Sequence, residues 1–207
     1  MSYTICMKTP QTSPVNKWMP WILTICGSIG LISAFTLTLE KISLLQNASF
    51  KPICNLNPVF SCTSIIKTEQ ASAFGFPNPL IGLIGFSVVI TIGMGLFARS
   101  KFARWFWLGL NLVSSLAVLF VHWLIYVSLY QVNALCMFCM VVWSITMPIW
   151  WYTTIFNIQN KNIVVPKKLQ NISAFIQKHH LDILITWYVL LIALILQNFW
   201  YYWKTIF

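Results

Sequence analysis

The sequence predicts an all-α polytopic membrane protein, and three observations carry that expectation. Of 207 residues, 58% are hydrophobic and only 8% are charged, against about 25% charged in soluble domains. Five apolar runs are each long enough to cross a bilayer, and Trp and Tyr crowd their ends. A chain this apolar cannot hide its surface in water and must dissolve in lipid. There it satisfies its backbone as helices.

The runs cover residues 18–39, 79–97, 105–130, 136–156 and 183–203. At about 1.5 Å of rise per residue, each crosses a hydrocarbon core of about 30 Å. Trp18, Trp21, Trp105, Trp107, Trp200, Tyr201, Tyr202 and Trp203 form the interfacial aromatic belt expected at run ends. The first run is too long for a signal-peptide core, and no small-residue cleavage site follows it, so it reads as an anchor. The expected division is an inner tail at 1–17, four helices within 18–156 with an outer loop at 40–78, a cytoplasmic loop at 157–182, and a fifth transmembrane helix at 183–207.

The net charge of +10 sets 13 Lys and Arg against Glu40, Glu69 and Asp182. These basic residues flank apolar runs, so they signal topology rather than nucleic-acid binding. With the N-terminus inside, the inner side holds nine of them: Lys8, Lys17, Arg99, Lys101, Arg104, Lys161, Lys167, Lys168 and Lys178. Lys41, Lys51, Lys67 and Lys204 fall outside. The positive-inside rule therefore puts the N-terminus in and the C-terminus out.

Six cysteines are present. Cys26 lies in the first run and reads as a small packing residue; Cys6, in the inner tail, reads as an incidental thiol. The other four share the outer side. Cys54 and Cys62 stand in the long loop, and Cys136-Met137-Phe138-Cys139 opens the fourth run. That side is oxidising in a bacterial envelope or the ER lumen. At a helix N-terminus, free N–H groups and the helix dipole favour a thiolate on the first cysteine of a C-x-x-C pair. Cys136 is then the exposed thiol, with Cys139 about 4.5 Å deeper. Two such pairs within reach can relay electrons through mixed disulfides. Two structural disulfides remain open as a reading, although a ring as small as Cys136–Cys139 constrains little of the unfolded chain. A four-cysteine zinc site is disfavoured by spacing and setting, and no metal is expected.

Cys62-Thr63-Ser64, then Gln70-Ala71-Ser72-Ala73-Phe74-Gly75-Phe76-Pro77-Asn78-Pro79-Leu80-Ile81-Gly82-Leu83, then Cys136-x-x-Cys139, resembles the vitamin K epoxide reductase family, in its bacterial branch, over residues 18–151. The resemblance implies a four-helix bundle around a quinone site, capped by a partly helical outer segment. It implies that Cys54 exchanges with an external thiol partner, that Cys62 passes electrons to Cys136, and that Cys139 faces the quinone. Asn78 matches an asparagine that hydrogen-bonds a quinone oxygen. Thr68 falls where the family carries Ser or Thr near the ring, though a helix-cap hydroxyl explains it as well. Phe74 and Phe76 either line the quinone pocket or seal the cap against lipid.

Two departures stand out. Some members carry a tyrosine four residues after the last cysteine; here that residue is Trp143, whose indole donates but cannot accept. It is either a quinone contact or a packing residue. Many bacterial members also continue into a thioredoxin-like domain, whereas this sequence runs to Phe207 just past its fifth run. The implied partner is a separate thioredoxin-fold periplasmic thiol oxidase, and the implied cofactor is ubiquinone or menaquinone.

The expectation is thus a quinone-dependent, disulfide-generating enzyme of the bacterial inner membrane, with its C-terminus and four redox cysteines periplasmic. One alternative is vitamin K epoxide reduction by the same cysteines. Another quinone-coupled type places the C-x-x-C before the wider pair, the reverse of this order. A channel or scaffold with structural disulfides is the non-enzymatic reading, but transport sites need several intramembrane ionisable groups, and only His122 stands out. His122 reads first as a hydrogen bond to a neighbouring helix. Gly82 and Gly85 read as sites of close helix approach. Asn47-Ala48-Ser49 matches a glycosylation sequon, a pattern frequent by chance.

Overall fold

The computed structural model describes residues 14–204 apart from 48, 56 and 58. Cys6 and Lys8 lie outside the described residues, as does the side chain of Trp203. The helices are α1 (Pro14–Gln46), α2 (Cys62–Ile66), α3 (Pro79–Phe97), α4 (Arg104–Tyr126), α5 (Met137–Gln159), α6 (Gln170–Lys178), α7 (His180–Asn198) and α8 (Trp200–Trp203). Five of them, α1, α3, α4, α5 and α7, are long and apolar enough to cross a membrane. The all-α, multi-pass expectation is met.

Several boundaries differ from the sequence reading: the fifth span starts earlier and breaks at its end, as α7 (His180–Asn198) followed by the short α8, and α5 runs on to Gln159. α1 continues beyond Leu39 to Gln46, because the polar residues that follow find protein partners. Glu40 accepts from the Ile53 amide, and Lys41 donates to the Ile66 carbonyl. α4 runs on as a π-helical turn, Val127–Val132, closed by Asn133 in the left-handed region at φ 52°, where Asn is tolerated. The 157–182 connection is not a plain loop. Ile172, Phe175 and Ile176 repeat at helical spacing along α6, and Ile176 packs against Trp151, Ile155 and Leu184.

α1 is central, packing along both α3 and α5, while α4 packs along α5. Glycine lets α1 and α3 approach closely. A Cβ on Gly30 would meet Phe86 and Ile145 at 2.6 Å, and one on Gly93 would meet the Thr24 backbone nitrogen at 2.9 Å. Gly82 faces the Ala34 methyl at 3.0 Å, as its packing role requires. Gly85 does not share that role: nothing lies within 4 Å of its added Cβ. Cys26 packs against the Met19–Leu23–Phe86 core. Trp107 also departs from its expected place in the belt; it is buried, with its ring centroid 4.1 Å from that of Phe156.

α7 is fastened through polar contacts. The Trp187 indole donates to Nε2 of His122 at 3.1 Å, whose Nδ1 lies 2.8 Å from the Val118 carbonyl. With the indole N–H directed at Nε2, Nδ1 is the ring nitrogen that donates to the carbonyl. Tyr188 donates to the Ser144 carbonyl and Asn198 to that of Leu129. Alternation of the spans gathers the end of α1, the start of α3, the end of α4 and the start of α5 at one end of the bundle. Arg99, Lys101, Lys161, Lys167, Lys168 and Lys178 lie in connections at the other.

Candidate active site

Backbone pairing builds the site. Phe60 and Leu135 form a parallel bridge: the Leu135 amide donates to the Val59 carbonyl at 2.8 Å, and the Ser61 amide donates to the Leu135 carbonyl at 3.0 Å. Each strand of the bridge then runs into a helix start. Ser61 caps α2 by accepting from the Ser64 amide, so Cys62 is the first residue of that helix. Cys136 caps α5, its sulfur accepting from the Cys139 amide at 3.4 Å.

The sulfurs converge as a result. Cys54 and Cys62 form a disulfide. Cys62 Sγ lies 3.0 Å from Cys136 Sγ, and the sulfurs of Cys54, Cys62 and Cys136 all lie within 4.8 Å of one another. Cys136 and Cys139 are thiols. The Asn55 side chain braces the disulfide-closed turn, donating to Thr63 Oγ1 at 2.6 Å and accepting from the Thr63 amide.

Cys136 is not the exposed thiol its helix-start position predicts; it is 0% exposed, and Cys139 is the more accessible of the two. The segment carrying Cys54 and Cys62 folds over the start of α5, a tertiary effect that helix position does not reveal. Cys54 is itself only 1% exposed. The Cys139 side-chain hydrogen bond, with the backbone N–H groups of Cys139 and Phe138, pulls the Cys136 thiol below its ordinary pKa, against burial and the Glu40 charge.

The remaining predicted residues surround this centre unevenly. Thr68 caps the 3-10 turn Glu69–Ser72, accepting from the Ala71 amide and donating to the Ile65 carbonyl. Asn78 donates to the Gln70 carbonyl at 2.7 Å and accepts from the Ala73 amide at 3.0 Å, holding the 70–78 loop closed. That uses one of its two N–H donors. Trp143 is buried among Val121, Ile125, Leu129 and Leu135, in the cluster against which Cys139 packs. Phe74 is 60% exposed, stacks near Phe76, and lies 5.5 Å from the Phe120 ring of α4.

Glu40 completes the site and is a residue the sequence reading did not single out. The residue is 4% exposed, with Oε1 accepting from the Ile53 amide at 2.9 Å and Oε2 lying 3.6 Å from Cys54 Sγ. The available signal was an acid, one of only three Asp and Glu in the chain, at the end of the apolar run preceding the cysteines. Three sulfurs so close could hold a metal, but two of them are joined in the disulfide and offer no thiolate.

A disulfide in sulfur contact with a buried thiol, itself next to a second thiol, is an arrangement for thiol–disulfide exchange. The model of the vitamin K epoxide reductase family matches residues 21–154, which take in the first four spans and all four of these cysteines. The chain belongs to the vitamin K epoxide reductase family. No curated protein matches it. As a member of the vitamin K epoxide reductase family it is a multi-pass membrane oxidoreductase of cysteine redox chemistry, and that family works with quinones in general.

Proposed function

We propose that this protein generates disulfides, relaying electron pairs from a thioredoxin-fold thiol partner through Cys54/Cys62 and Cys136/Cys139 to a membrane quinone. The 3.0 Å approach of Cys62 to Cys136 carries the reading. Disulfide exchange needs a thiolate in line with a disulfide sulfur, and here the outer pair is oxidised while the inner pair is reduced.

The residues at hand fit a quinone. Cys139 lies against the apolar cluster around Trp143, Asn78 keeps a further N–H, and Phe74 and Phe76 offer an aromatic face. A quinone accepts two electrons and two protons. Cys139 presents the inner pair to it, and Asn78 orients an oxygen. Cys54 receives the partner, which requires the segment over the site to move, since Cys54 is buried. The basic residues at the end opposite the cysteines support a site on the periplasmic side of a bacterial inner membrane.

The test mixes purified protein with ubiquinone or menaquinone and a reduced thioredoxin-fold dithiol protein. Quinol should form, and Cys139→Ala should abolish it. Unchanged turnover in that variant rejects the assignment.

A further inference from the structure

We propose that Glu40 is the proton relay for Cys54, a catalytic role that deepens the exchange reaction above and rests on that reading. Oε2 of Glu40 lies 3.6 Å from Cys54 Sγ, while Oε1 is held by the Ile53 amide, the residue just before Cys54. The carboxyl is thereby anchored to the backbone that carries the sulfur. Among the described residues no cation forms an ion pair with it. Lys41, its neighbour in α1, turns its ammonium to the Ile66 carbonyl at 2.5 Å. The other titratable groups facing the site are Cys136 and Cys139.

Exchange makes Cys54 a thiolate at two moments, and both atoms involved are buried. An isolated charge there is costly. One proton passed between the carboxyl and the sulfur leaves a single charge at each stage.

A donor thiolate attacks Cys54 Sγ; the donor–Cys54 bond forms, and Cys62 takes the electron pair. Cys62 then attacks Cys136 of the oxidised inner pair, and Cys139 takes that pair. The donor's second thiolate attacks its own sulfur in the mixed disulfide, so the donor leaves oxidised. Cys54 departs with the electron pair and receives the proton of Glu40. The Glu40 carboxylate takes that proton back as Cys54 attacks Cys62, which re-forms Cys54–Cys62 and releases Cys136. The two protons given up by the donor balance those gained by Cys136 and Cys139, and Glu40 ends as it began.

The experiment uses the full chain in detergent with dithiothreitol as the dithiol. Acid quench and alkylation, read by mass, follow reduction of Cys54–Cys62, and a short-chain ubiquinone assay is run alongside. Glu40→Gln keeps the acceptor for the Ile53 amide but cannot exchange a proton. It should slow the reduction on the order of a hundredfold, the usual scale for a general acid or base, and remove one ionisation from the pH–rate profile. Glu40→Asp should recover part of the rate and restore that ionisation. A Glu40→Gln rate within twofold of wild type overturns the relay, as does a slowed rate with an unaltered profile. The reduction needs no quinone, so failure of the ubiquinone assay in wild-type protein rejects the proposed function without touching this result.

Discussion

Phe60 and Leu135 meet in a parallel backbone bridge, and the cysteines just beyond them, Cys62 and Cys136, end with their sulfurs 3.0 Å apart. The contact between the two redox pairs is thus set by main-chain pairing upstream of both. Each cysteine is then fixed by a helix start, Cys62 behind the Ser61 cap and Cys136 as the cap of α5. Contact between the two pairs needs no large movement, whereas access of an external thiol to the buried Cys54 does.

A chain carrying Cys54→Ser and Cys139→Ser should therefore close a Cys62–Cys136 disulfide on mild oxidation. Removing the competing partner of each sulfur leaves two thiols already in contact, and the bridge holds them there. Peptide mapping without reductant should find that single cross-link within one chain. Recovery of both as free thiols, or of links between chains, would show that the bridge does not hold the pairs together.

The Cys136 thiol is held below its ordinary value first by the Cys139 side chain. A lowered value means that the thiolate is present at lower pH than for a free cysteine of about 8.5. The rate at which Cys136 attacks the Cys54–Cys62 disulfide should fall as pH drops through that lowered value and stay flat above it. Cys139→Ala removes the largest cause, so the midpoint should move up. A pH series of acid-quenched exchange measures both midpoints, and coincident midpoints would dismiss the Cys139 contribution.

How much was legible in the sequence varied with how local the cause was. α3 begins at Pro79 and ends at Phe97 as the apolar run does, because proline at the first turn and the polar stretch after Phe97 are local signals. α1 outran its prediction because Glu40 and Lys41 are held by Ile53 and Ile66, contacts that only the folded chain supplies. The spacing of Cys136 and Cys139 announced a redox pair, but burial of Cys136 comes from a distant segment. α6 was missed because nine residues beside lysines give a short pattern.

Trp187 donating to His122 is a side-chain tie between α7 and α4. Trp187→Phe removes the donor and keeps most of the ring. It should cost about 0.6–1 kcal/mol, the scale of an interhelical hydrogen bond in a membrane protein, read as a lower unfolding midpoint in mixed micelles. Quinol formation should change less than twofold, since neither residue touches a redox cysteine. A large loss of activity with unchanged stability would instead make His122 part of the reaction.

The glycines of α1 and α3 separate two kinds of position that look alike in sequence. At Gly93 an added methyl meets Thr24 Oγ1 and, at 2.9 Å, the Thr24 backbone nitrogen. Backbone cannot rotate away, so Gly93→Ala must push α3 from α1, and overpacking of that kind costs about 1–3 kcal/mol. At Gly85 the methyl meets nothing within 4 Å, so Gly85→Ala adds only helix propensity, a gain of up to about 1 kcal/mol. The two variants should shift the unfolding midpoint in opposite directions. Because α1 carries Glu40 and packs along α5, whose cap is Cys136, Gly93→Ala should also slow exchange between the cysteine pairs, whereas Gly85→Ala should leave it unchanged. Equal effects of the two substitutions would mean that α1 and α3 are not held at the close distance described.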